Sequence, residues 1–331
     1  MNNSISAGPA IADYATDPRL SPKVRDFLTA LNTAGGDPIE SLSKEDARRV
    51  LAEAQAAVKV DISGIDVTEK VIVSDGYKVK IHVVRPEGVA GKLPVFLFIH
   101  GGGWILGDFP THKRMVRDLV VHSGFAAVFV NYTPSPEAQY PQAINEIYAV
   151  TKWVAANGDE IGVDGSKLAV VGNSVGGNMT AVTGLKALEK SGPKINLLLM
   201  LWPIVDAHFG TGSYRQFGED RFLTTTMMKW MYDQYTTDPA QRKEIYASPL
   251  QATVDQLKGL PSTLIVVAEN DILRDEGEAF GRKLNEAGVP ATTIRYNGMI
   301  HDFGLLNGLA ELPAVRSLFI QAAAALKDHL S

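Results

Sequence analysis

The chain has 331 residues, 45% of them apolar, which is enough to bury one large core or two ordinary ones. Its formal net charge of -5, from 32 basic and 37 acidic residues spread along its length, leaves no basic stripe for a nucleic-acid backbone and no polybasic membrane anchor. Cysteine is absent, so disulfides, thiolate catalysis and cysteine metal sites are excluded; the opening "MNNSISAGPAIADYATDPRL" lacks the basic-then-apolar order of a secretory signal, no apolar run reaches spanning length, and a cytoplasmic protein without membrane or nucleic-acid partners is expected.

In "SPKVRDFLTALN", Val24, Phe27, Leu28 and Leu31 fall on one helical face behind Ser21 and Pro22. A second amphipathic helix starts at the Ser43 and Asp46 signal and repeats Ala47, Val50, Leu51 and Ala54. Residues 1–55 are therefore expected to form a helical segment ahead of the main domain, 56–331. From Val71 the period becomes two, and "VIVS" and "YKVKIHVV" flank an Asp75-Gly76 hairpin signal. Apolar runs then alternate with helical stretches: "LPVFLFIH", "FAAVFVNY", "KLAVVGNS", "INLLLMLWPIV", "STLIVVAEN" and "ATTIRYNG", with helices expected near 111–122, 141–157, 176–189, 275–287 and 313–329. Strands apolar on both faces and separated by helices predict an α/β protein with a mostly parallel sheet, an antiparallel N-terminal hairpin and helices on both sides. The rhythm breaks at about 206–246, "HFGTGSYRQFGEDRFLTTTMMKWMYDQY" lying within it; a stretch so long is expected to fold as a cap, or as a helix with Met228, Met231 and Tyr235 facing inward.

The strand "KLAVV" runs through "GNSVGG" into a helix, so Ser174 stands in a G-x-S-x-G setting. Small residues are needed on both sides of such a turn because strand and helix backbones nearly touch there, and the hydroxyl is left projecting above the sheet. A helix-capping serine is the structural alternative. Phosphate binding is a rival use of the loop, but Asn178 stands where a P-loop lysine belongs and G-x-G-x-x-G is absent. A serine nucleophile requires a base and an orienting acid. Asp271 follows "STLIVVAEN" and His301 follows the last strand, giving the order Ser, Asp, His of α/β-hydrolase triads, each at the carboxyl end of an expected strand. The neighbouring Glu269, Asp275 and Glu276 are the competing acids. Of the other histidines, His82, His112, His122, His208 and His329 fall on elements away from that edge, and only His100 lies near the site.

His100 closes a strand and opens "HGGGW". Glycines leave backbone N–H groups uncovered and permit close approach, so Gly102 and Gly103, with the N–H of Val175, are expected to form an oxyanion hole. Trp104 and His100 are the expected substrate-contacting residues of that loop.

"HGGGW", "GNSVGG", "NDILRDEG" and "GMIHDF" together resemble the hormone-sensitive-lipase-like carboxylesterases of the α/β-hydrolase fold, from about residue 70 to the C-terminus, and "NYTPSPEAQYPQAINE" and "ASPL" agree. The resemblance implies Ser174, Asp271 and His301 as a catalytic triad, Gly102, Gly103 and Val175 as oxyanion donors, and a cap built from the N-terminal helices and the 206–246 insertion. Four positions depart from its usual pattern: Asn173 stands for Asp or Thr, Val175 for Ala, Ile272 for Pro and Asp302 for Gly. The expectation is a serine esterase for short to medium acyl esters, without metal or organic cofactor, binding a small-molecule ester and open to homodimer formation. An amidase or formamidase using the same triad, and a non-catalytic ligand-binding member of the fold, are the alternatives.

Overall fold

The computed structural model describes residues 13–331; the start of the expected 1–55 segment and most of the opening stretch read for a secretory signal lie outside the described residues. Asp75 and Gly76, both at positive φ (53° and 81°), turn the chain tightly between β1 (Ile65–Ser74) and β2 (Tyr77–Pro86), which pair antiparallel along their full length. β1 starts earlier than the expected Val71. As an edge strand it is largely exposed, so its first half carries no apolar run by which to be read.

The remaining strands are β3 (Leu93–Ile99), β4 (Ala126–Asn131), β5 (Val163–Asn173), β6 (Leu197–Leu201), β7 (Ser262–Asn270) and β8 (Ala291–Ile300). The eight form one sheet in the order β1-β2-β4-β3-β5-β6-β7-β8; β2 pairs antiparallel with β4 and every later pairing is parallel. Alternation along β3 shows why both faces need cover. Val95, Leu97 and Ile99 enter one core and Phe96 and Phe98 the other. β6 is shorter than its apolar run, because Trp202 adopts φ 37° and Pro203 follows.

Among the described residues ten α-helices surround the sheet: α1 (Pro22–Thr33), α2 (Lys44–Ala56), α3 (Phe109–Ser123), α4 (Gln142–Asn157), α5 (Val175–Glu189), α6 (Gly212–Phe217), α7 (Thr225–Tyr235), α8 (Val254–Leu257), α9 (Arg274–Glu286) and α10 (Pro313–Leu330). α4 and α5 pack on one face through Ile144, Ile147, Met179 and Val182, and α3 and α10 on the other through Met115, Leu119, Val315 and Leu318. Asp108 starts α3 with a reciprocal capping box to Thr111.

The insertion is helical: Thr211 caps α6, Thr224 caps α7, and Met228, Met231 and Tyr235 are buried on the latter's inner face. α7 packs on the Ile39–Ser41 turn between α1 and α2, so the N-terminal segment and the insertion meet. Among the described residues no helix is long and apolar enough to cross a membrane.

Candidate active site

β5 ends at Asn173, and Ser174 turns the chain directly into α5 at φ 55° and ψ -121°, a conformation that costs a non-glycine residue of order 1–3 kcal/mol. The tightness of this elbow depends on Gly176, where a Cβ would collide with the Ile99 carbonyl oxygen of adjacent β3. The hydroxyl is thereby held at the carboxyl edge of the sheet.

Two loops from the same edge reach it. Asp271 follows β7 and His301 follows β8, neighbouring parallel strands. His301 Nδ1 lies 2.7 Å from Asp271 Oδ2, and His301 Nε2 lies 3.0 Å from Ser174 Oγ. Facing a carboxylate, Nδ1 carries the proton and donates to Asp271, which leaves Nε2 to accept from the serine hydroxyl. All three side chains are buried. Burial pushes the imidazole pKa down, but the charges of Asp271 and Asp302 and the Asp271 hydrogen bond outweigh it, and the value ends above the ordinary histidine range.

The glycine loop lies beside the elbow because β3 and β5 pair with Ile99 opposite Gly172. Gly102 and Gly103 have φ of 106° and 64°; Cβ atoms there would strike the Leu106 carbonyl oxygen and the Met231 thioether of α7. The chain's own packing therefore already demands these glycines. Among the described residues no hydrogen bond engages the N–H groups of Gly102, Gly103 and Val175, the last being the first residue of α5.

His100 is enclosed beneath this loop. Its ring stacks at 4.2 Å on Tyr132 and 5.4 Å on Phe129, Nδ1 donates to the Gly101 carbonyl at 2.8 Å, and burial pushes its pKa down to about 4. Trp104 is enclosed as well, stacked at 4.1 Å on Tyr235 with Tyr232 against its edge, and its indole N–H has no acceptor among the described residues. The competing acids lie elsewhere: Glu276 accepts from the Val205 N–H, Asp275 from Ser213 N–H, and Glu269 from Gly298 N–H. Among the described residues no group of three or more histidine or acidic side chains could hold a metal ion.

Two features were not legible in the sequence. Met231 is recognisable there as an inward-facing residue, but not as the side chain resting on Gly103. Asn173 and Asp302 are visible as separate departures, yet they are hydrogen-bonded to each other.

A serine, histidine and aspartate in line on the carboxyl edge of such a sheet, beside uncommitted backbone donors, have the arrangement that acyl transfer uses on an α/β-hydrolase scaffold. Residues 96–305 match a family model described as alpha/beta hydrolase fold. The chain belongs to this family and, within it, to the hormone-sensitive-lipase-like carboxylesterases; it is a carboxylic ester hydrolase. It is similar to a thermostable esterase from Pseudomonas putida ECU1011, at 59% identity over 95% of this chain and 99% of that one, with a TM-score of 0.94. An esterase from Rhizomucor miehei is 35% identical over 94% and 97% of the two chains, with a TM-score of 0.88. The ethyl acetate hydrolase of Pseudomonas putida is 30% identical over 88% of this chain and 92% of its own.

Proposed function

We propose that the chain hydrolyses short to medium acyl esters through an acyl-enzyme on Ser174. The observation that carries this reading is the continuous Asp271, His301, Ser174 hydrogen-bond line at 2.7 and 3.0 Å. His301 Nε2 takes the hydroxyl proton as Ser174 Oγ bonds to the ester carbonyl carbon. The N–H groups of Gly102, Gly103 and Val175 receive the oxyanion, and the imidazolium passes its proton to the departing alcohol. Water, deprotonated by the same nitrogen, then attacks the acyl-enzyme and releases the acid, while Asp271 holds the tautomer and stabilises the imidazolium.

His100 and Trp104, the two residues expected at the substrate, are both enclosed and serve this site from behind, bracing the loop against Tyr132 and Tyr235. The acyl range is read from Met231 of the cap, whose thioether rests on Gly103. A relative bearing the name ethyl acetate hydrolase is in keeping with a small acyl group. The α6 and α7 insertion together with α1 and α2 makes up the cap, and residues 56–331 outside the insertion form the catalytic domain.

The test is burst kinetics with p-nitrophenyl esters of increasing acyl length, beside Ser174→Ala. A stoichiometric burst or steady turnover that the variant abolishes supports the acyl-enzyme. Folded protein that turns over no ester rejects it.

A further inference from the structure

Asn173 sits between the elbow and two loops. Its Oδ1 accepts from the Gly101 N–H at 2.9 Å, and its Nδ2 donates to Asp302 Oδ1 at 3.1 Å. The Trp202 indole N–H donates to the same Asp302 oxygen at 2.6 Å, and Asp302 Oδ2 lies 3.8 Å from His301 Nε2. Asn173 is completely buried and Asp302 is 7% exposed. One planar amide thus joins the residue before Ser174 to the start of the glycine loop and to the residue after His301.

An amide suits this place. It must accept on one side, from a backbone N–H, and donate on the other, to a carboxylate; an aspartate lacks the donor and an aliphatic residue lacks both. Gly101 leaves no slack, since a Cβ there would lie 2.6 Å from Asn173 Nδ2. Asp302 in turn holds φ 57°, a left-handed conformation costly for a residue with a side chain, and persists where its surroundings over-determine it.

We propose that Asn173 and Asp302 are a coupled pair of positioning residues that sets the oxyanion loop and the histidine loop relative to Ser174, the amide at 173 being required by the carboxylate at 302. The inference rests on the esterase reading. A carboxylate at 173 would face that of Asp302 at about 3 Å, and two such groups cannot both ionise without separating or sharing a proton. Either response pulls on Gly101 and on the residue beside His301.

The experiment is a double-mutant cycle with Asn173→Asp, Asp302→Asn and the two combined, read as kcat and KM on a short p-nitrophenyl ester. Asn173→Asp is expected to lower kcat about tenfold or more with KM within about threefold, because geometry for the chemical step is lost and ground-state binding is not. Asp302→Asn keeps an oxygen for both donors but removes a charge beside His301, and is expected to lose less kcat than Asn173→Asp. In the double variant the carboxylate at 173 accepts from Gly101 N–H and from the amide at 302, but that amide then turns its NH2 toward the Trp202 indole N–H, which loses its acceptor, so kcat is expected to recover in part, above the level of Asn173→Asp and below that of Asp302→Asn.

Wild-type kcat in Asn173→Asp, or a double variant no better than Asn173→Asp, overturns the pair. Should Asn173→Asp not be recovered folded, Asn173→Ala, Asp302→Ala and their combination replace it: the double variant is expected to lose no more than the worse single one, and additive losses overturn the proposal. Unchanged protein that turns over no ester fails the esterase reading instead, and the same non-additivity is then read in the thermal midpoints.

Discussion

Acidification attacks the support beneath the glycine loop through His100. Burial between Tyr132 and Phe129 depresses its pKa from 6.5 to about 4, the hydrogen bond to Gly101 only partly opposing this. The unfolded chain therefore takes up the proton first. The stability that neutral His100 contributes is fully present above pH about 6.5 and is lost as the pH falls toward 4. At about 1.4 kcal/mol for each pH unit between those values, the whole effect is about 3.5 kcal/mol, with roughly 2.5 kcal/mol of it gone by pH 4.5. His301, raised in the fold, acts in the opposite sense, so the effect has to be isolated by difference. Urea unfolding of the protein and of His100→Asn, followed by tryptophan fluorescence at pH 7, 6, 5 and 4.5, provides it. The stability gap between the two is expected to narrow by about 2.5 kcal/mol from pH 7 to 4.5. A gap that is constant with pH would refute the view that a neutral, desolvated imidazole supports this loop.

Asp302→Asn removes one of the negative charges that raise the pKa of His301, so the acid limb of kcat/KM is expected to move to lower pH; an unmoved or upward limb contradicts that contribution. Met231→Ala clears the space above Gly103 and is expected to raise kcat/KM for longer acyl chains relative to acetate, at a stability cost of about 2–5 kcal/mol; an unaltered chain-length profile on p-nitrophenyl esters removes Met231 from the acyl boundary. Asp271→Asn is expected to lower kcat by about 10³ to 10⁴-fold while circular dichroism stays unchanged, and a loss below tenfold would transfer the orienting role to another acid.

The sheet was legible because each buried strand carries its own pattern. β3, β5 and β7 are apolar on both faces, and the hairpin announces itself through Asp75-Gly76. Reading failed where the pattern is not local. The first half of β1 is an exposed edge, and the apolar run through Trp202 outlasts β6 because the backbone, not the composition, ends that strand.

The candidate site follows the same division. Ser174, Asp271 and His301 could be found because each must stand at the end of a strand, a position that the flanking residues report. His100 was found for the same reason, yet its place under the loop was hidden, since stacking on Tyr132 and Phe129 depends on how β3 and β4 pair rather than on any spacing. Asn173 and Asp302 are 129 positions apart, and what unites them is the parallel run of β5, β6, β7 and β8, which delivers both strand ends to one edge. A sequence read alone shows two separate departures there; the structure makes each unfavourable by itself, a buried amide beside the serine and a buried carboxylate in a left-handed conformation. Each satisfies the other's hydrogen-bonding requirement, so the pair is a single feature whose tolerance to change belongs to the two residues jointly.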